Sequence, residues 1–244
     1  MKTKKLFCVP IIALLIGCTP QPEKTLKEKL NSLDGFRVVK TLKDKSGGVF
    51  DDQYLVKVTQ PIDWNNKSIG TFEQRFTISY HKDAKVNLYQ CGGYYLEDDY
   101  FGYNLRGELG EYYDSNYIEF EYRYFLKSVP EDLNMDDPEL WKYLTVENAA
   151  ADFNHIITEL SKILPGTNLF TGASKGGFTT EVQAMLYPNC CDAYVSYVAP
   201  LCDGVGDKRQ IKAMFETIGD DIEKDAFKDL RDLTIDFFIT CLEY

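Results

Sequence analysis

Apolar residues recur along this chain with two different periods. Between Val146 and Leu164 they fall at three- and four-residue steps: Val146, Ala149, Ala150, Phe153, Ile156, Ile157, Leu160 and Ile163. That spacing predicts an amphipathic helix, stopped by Pro165-Gly166. A short apolar run, Asn168 to Thr171, follows and predicts a strand. Then comes a second helical stretch with Phe178, Val182, Met185 and Leu186 on one face, and another strand from Ala193 to Val198. Strand and helix alternating in this way predict parallel βαβ units, an α/β fold. Upstream the period is two. Tyr54–Thr59 (with Pro61 as its stop), Phe72–Tyr80, Val86–Tyr89 and Tyr117–Phe125 all predict strands. In the last of these, Ile118, Phe120, Tyr122 and Tyr124 share one face, and Glu119, Glu121 and Arg123 the other. Glu23–Leu33 predicts a leading helix. Asp207–Ile218 and Ile222–Leu242 predict two more, without an intervening strand, as the start of a helical cap.

The chain has 244 residues, 44% of them hydrophobic, enough for one sizeable core. Its net charge is −11 with no basic stripe, which argues against a nucleic-acid partner. The N-terminus changes the picture more. Lys2, Lys4 and Lys5 precede a short apolar segment from Leu6 to Ile16, the layout of a signal peptide. Leu15-Ile16-Gly17-Cys18 matches a bacterial lipobox. Cys18 is therefore expected to carry lipid, and residues 18–25 to form a tether. The predicted location is the bacterial cell envelope, with the lipid anchor as the membrane contact. Cys91, Cys190, Cys191, Cys202 and Cys241 remain. Their number is odd and Cys190 and Cys191 are adjacent, so buried free thiols are expected, and the spacing is not that of a zinc site.

The chemistry is concentrated in Gly172-Ala173-Ser174-Lys175-Gly176-Gly177, between a predicted strand and a predicted helix. Gly-x-Ser-x-Gly in that context is the nucleophile elbow of α/β-hydrolases. Ser174 is the expected nucleophile. The backbone N–H of Lys175 is the expected half of an oxyanion hole, and Gly93 or Tyr94, after the strand Val86–Tyr89, the other half. A serine needs an adjacent base, and the chain has only two histidines, both before Ser174. His155 lies on the predicted helix three residues after Asp152 and is expected to make a structural hydrogen bond from helix to loop. His81 is expected to be solvated. Glu121 is a candidate for holding a substrate ammonium, with pairing to Arg123 or a nearby loop the stronger expectation. No metal or organic cofactor is implied.

Several segments together resemble the secreted tripeptidyl aminopeptidase family of serine peptidases, related to the prolyl carboxypeptidase and dipeptidyl peptidase II group. They are Gln60-Pro61-Ile62-Asp63, Gly70 to Arg75, Glu121 to Phe125 with Ser128 and Pro130, Ala150-Ala151-Asp152 with His155, Gly172 to Gly177, and Tyr197-Val198-Ala199-Pro200. The resemblance implies an α/β-hydrolase with a cap and a Ser–Asp–His triad, cleaving short peptides from the free N-termini of peptide substrates. Trp64 departs from the family, whose members usually have histidine there. The triad aspartate and histidine fall beyond Tyr244 in the family's order, so on the order of 150–200 further residues are expected to complete the sheet. Residues 26–202 would be the first part of the hydrolase domain and 203–244 the start of the cap. A catalytically incomplete peptide-binding lipoprotein is the alternative, as is a non-functional fragment. The apolar run Phe237–Tyr244 is expected to be covered, self-association being one means.

Overall fold

The computed structural model describes residues 23–130, 134, 136–201, 209, 212 and 219–242. Seven strands form a single mixed sheet: β1 (Phe36–Thr41), β2 (Asp52–Pro61), β3 (Thr71–Tyr80), β4 (Val86–Cys91), β5 (Asn116–Phe120), β6 (Thr167–Ala173) and β7 (Ala193–Tyr197). Their order is β1-β2-β3-β5-β4-β6-β7. The β1–β2, β2–β3 and β3–β5 pairs are antiparallel, while β5–β4, β4–β6 and β6–β7 are parallel. The helices are α1 (Leu26–Asn31), α2 (Gly107–Tyr112), α3 (Pro138–Trp141), α4 (Val146–Leu160), α5 (Lys175–Leu186) and α6 (Asp221–Leu242). The parallel half of the sheet is the set of βαβ units that the alternation predicts, and it places the expected serine turn between β6 and α5. The parallel half carries α4 and α5 as crossovers, and the antiparallel half comes first in the chain.

α4 starts where Thr145 accepts a hydrogen bond from the Asn148 amide. Its apolar stripe of Phe153, Ile156, Ile157 and Leu160 is fully buried against Phe76, Tyr89, Phe120 and Phe170 of the sheet. The Phe120 and Phe153 rings stack at 5.0 Å. Each such side chain contributes roughly 1.5–3 kcal/mol on burial, so this layer fixes the sheet on which the site is carried.

β5 is shorter than the alternation suggests. It ends at Phe120, although apolar and polar residues alternate through Phe125. Beyond Phe120 the Glu121 amide still bonds the Arg75 carbonyl, but the Tyr122 amide turns to the Tyr94 carbonyl. Tyr124 then takes φ 66° and Leu126 φ 38°, which no strand tolerates. β2, in contrast, runs on through Pro61, its last residue. The helix expected over 207–218 lies outside the described residues, as do Cys18 and the side chains of the apolar end. The helix expected over 222–242 is present as α6, which exposes Ile222, Leu230 and Leu233.

Candidate active site

β6 ends at Ala173 and α5 begins at Lys175, so Ser174 alone makes the turn. Its backbone sits at φ 54°, ψ −121°. For a residue with a Cβ this conformation costs of order 1–3 kcal/mol, and surrounding structure must hold it. Backbone bonds do so from both sides. The Ser174 amide donates to the Tyr197 carbonyl of β7 (3.1 Å), and the Ser174 carbonyl accepts from Phe178 of α5 (3.0 Å). The residue is exposed and its hydroxyl caps no amide of the helix it precedes.

The flanking glycines are required by close approach. A Cβ on Gly176 would lie 1.9 Å from the Cys91 carbonyl oxygen. One on Gly172 would lie 2.5 Å from the same oxygen and from the Gly176 carbonyl. The end of β4, the end of β6 and the first turn of α5 therefore meet backbone to backbone. This contact brings the loop after β4 to the serine turn.

That loop is held by the Lys175 side chain. Its ammonium donates to the Gly93 carbonyl at 2.5 Å and lies 3.3 Å from the centre of the Tyr122 ring. The Tyr94 and Phe125 rings stand further off, at 5.3 and 5.7 Å. Burial pulls the Lys175 amine down to about 8, against a weaker opposing influence of the Cys91 thiol. The Gly93 amide is directed at the Cys91 sulfur. The Gly93–Tyr94 peptide is trans, so with its carbonyl on Lys175 its N–H, that of Tyr94, points the opposite way. The amide of Lys175 is at the positive end of a twelve-residue helix. Of the residues expected to form an oxyanion hole, Gly93 thus contributes its carbonyl to the Lys175 clamp. The amides of Lys175 and Tyr94 are left as donors.

Glu121 is elsewhere. It is fully buried and holds Arg75 through two 2.7 Å bonds, from Nε and from Nη2. Ser128 donates to the same carboxylate at 2.7 Å and the Leu96 amide at 3.1 Å. It offers nothing to a substrate ammonium, and it does not pair with Arg123. Arg123 instead forks onto Asp152 of α4 at 2.7 and 2.8 Å. It also donates to the carbonyls of Pro61, Ile62 and Tyr143. The Trp64 indole N–H completes the Asp152 carboxylate at 2.7 Å, which gives that departure from the family pattern a place in the structure. The alternation in Tyr117–Phe125 concealed these pairings, because each arginine's partner lies on another element. The two ion pairs account for Arg75, Glu121, Arg123 and Asp152 of the segments upstream of the elbow.

His155 makes a structural contact. Its Nδ1 lies 2.8 Å from Gln60 Oε1 at the end of β2, rather than on a loop, and its ring packs on Trp64 and Phe36. β2 and β6 are four strand spacings apart, about 19 Å. His81 follows β3 at the opposite end of the strands from the serine turn, with Asp114 at 3.1 Å and Asp51 at 3.4 Å. Neither imidazole is placed to reach Ser174. A depression of about 170 Å³ beside the turn is lined by Gln90, Arg106, Thr171, Ala173 and Tyr197. It is smaller than the roughly 300 Å³ at which ligand pockets begin.

Among the described residues no helix is long and apolar enough to cross a membrane, and no cluster of three or more metal-ligating side chains is present. Comparison with known proteins gives a consistent account. The prolyl tri/tetrapeptidyl aminopeptidase of Streptomyces mobaraensis is 31% identical over 202 residues, covering 82% of this chain. The chain spans 39% of that relative's length. Solved structures with a similar course include the closed state of Candida antarctica lipase A (TM-score 0.42, 10% identity, 68% of this chain and 42% of that one). Acetyl xylan esterase 1 from a Thermoanaerobacterium species is another (TM-score 0.43, 12% identity, 82% and 63%). The model of the PS-10 peptidase S37 family matches residues 21–234, and with the elbow, sheet order and curated relative in agreement the chain belongs to that family.

Proposed function

We propose that Ser174 is the nucleophile of a serine peptidase that removes short peptides from free N-termini, and that the protein is exported and anchored by lipid on Cys18. The observation that carries the reading is the Ser174 turn: an exposed hydroxyl on a strained residue, held by backbone bonds to β7 and α5. In such a site Ser174 attacks the scissile carbonyl, and backbone amides stabilise the charge that develops on the carbonyl oxygen. The Lys175 amide supplies one donor and the Tyr94 amide the second. The Lys175 ammonium fixes the Gly93–Tyr94 peptide and polarises it, which strengthens the Tyr94 N–H as a donor. The relative's name, prolyl tri/tetrapeptidyl aminopeptidase, supports tri- and tetrapeptides as the pieces released from a longer peptide substrate.

A second reading follows from the histidines. Both are committed elsewhere, which supports a Ser174 that has neither of them as its base. As these residues alone, the protein would bind peptide without turnover. A fluorophosphonate tests both. Covalent labelling at Ser174, lost in Ser174→Ala, supports the enzyme. A folded but unlabelled chain that binds a proline-terminated tripeptide supports the second reading. A chain that does neither overturns both.

A further inference from the structure

The far end of α5 carries a second concentration of reactive groups. Cys190 and Cys191 lie in the turn between α5 and β7, and both are free thiols. About 18 Å of helix separates them from Ser174, so they are independent of the peptidase reading. Their sulfurs are 3.9 Å apart. Adjacent Cα atoms are about 3.8 Å apart, below the usual 4.4–6.8 Å of disulfides, so closure to a bond distorts the turn. The observed separation suits a different ligand. Two thiolates at about 2.3 Å from a tetrahedral ion stand about 3.8 Å apart.

The surroundings are those of a ligand site. Gln183, fully buried on α5, directs its Nε2 at the Cys190 sulfur at 3.2 Å, and its Oε1 has no hydrogen-bond partner. A half-turn of that amide brings the orphaned oxygen to the sulfur. The Tyr194 hydroxyl lies 3.3 Å from Cys190 and is itself fixed, donating to the Tyr187 carbonyl at 2.5 Å. Asp192 is not available, because its carboxylate accepts from the Asn168 amide. Cys190 is partly open to solvent, while Cys191 is buried.

We propose that Cys190 and Cys191 form a two-sulfur chelate for a soft divalent ion of the zinc type, with the Gln183 amide oxygen as third ligand and solvent as the fourth. Both sulfurs bind the ion as thiolates, so their protons leave as it binds.

The test uses the whole chain with Cd²⁺, whose thiolate complexes absorb in the near ultraviolet, and with Zn²⁺ in competition against a coloured chelator. The expected result is one ion per chain, bound more tightly as the pH rises. The charge-transfer band should vanish in Cys190→Ser and Cys191→Ser and persist in Cys202→Ser and Cys241→Ser. Gln183→Leu should weaken binding roughly tenfold or more. Binding that survives Cys190→Ser overturns the site. If either serine variant fails to fold, iodoacetamide mapping on the unsubstituted chain decides. Cd²⁺ should protect Cys190 from alkylation, and equal rates with and without the ion refute the chelate.

Discussion

The serine turn and the buried ion-pair frame both lie in the segments that carry the family resemblance, and they are opposites. Arg75, Glu121, Arg123 and Asp152 are fully buried, and each carboxylate receives at least three hydrogen bonds. Ser174 is exposed, strained, and caps no amide with its hydroxyl. The frame is saturated, so it can only hold. The turn keeps a group uncommitted and is held in an unfavourable conformation by its neighbours. Motif density alone does not distinguish the two; hydrogen-bond satisfaction does.

The largest expected effect falls on the frame. Asp152→Ala strands a buried guanidinium and should cost about 3–5 kcal/mol, read as a lower urea midpoint. Replacing both partners, Arg75→Met with Glu121→Leu, should cost clearly less than the two single changes added together, because no unpaired charge remains. Additive losses in that double-mutant cycle would show that the pair does not act as a unit.

Steric intrusion at the turn comes next. Gly176→Ala places a methyl against the Cys91 carbonyl and should cost about 1–3 kcal/mol, by the same measurement. Ser174→Gly should behave in the opposite sense. It relieves a positive φ and should leave stability unchanged or raise it by up to about 1 kcal/mol, while abolishing fluorophosphonate labelling. A large loss of stability in Ser174→Gly would erase the contrast between the two regions.

A pH slope sharpens the same comparison. The Lys175 amine titrates near 8 in the folded protein and near 10.4 when unfolded. Between those values the unfolded chain binds more protons, so this group makes stability rise with pH. Urea midpoints at pH 7.5, 9 and 10, compared between the parent and Lys175→Met, should differ by a rising term in the parent alone. In the same window the neutral amine loosens its hold on the Gly93 carbonyl, so amide exchange at Tyr94 should quicken relative to the global rate.

Much of the fold was legible. The helical period at Val146–Leu164 and the runs on either side of the elbow identified the βαβ units, because each element buries a face with its own period. The end of β5 was not legible. Alternation continues through Phe125, but the chain leaves the sheet where the Tyr122 amide bonds Tyr94 and Tyr124 takes a positive φ. In the site, Ser174 and its glycines could be read because a local turn dictates both. The partners of Glu121 and Arg123 could not, because they are 46 and 29 residues away in the chain.

Local geometry is therefore what the sequence by itself determined here: the periodic elements, the small residues of the elbow, and the serine between strand and helix. Only the tertiary structure decided which charges pair with which, that the partner of His155 is Gln60 on β2, and that Lys175 clamps the Gly93 carbonyl. The physical reason is that a turn is specified by neighbours in sequence. A buried charge is instead specified by whichever distant group folding brings within hydrogen-bond reach.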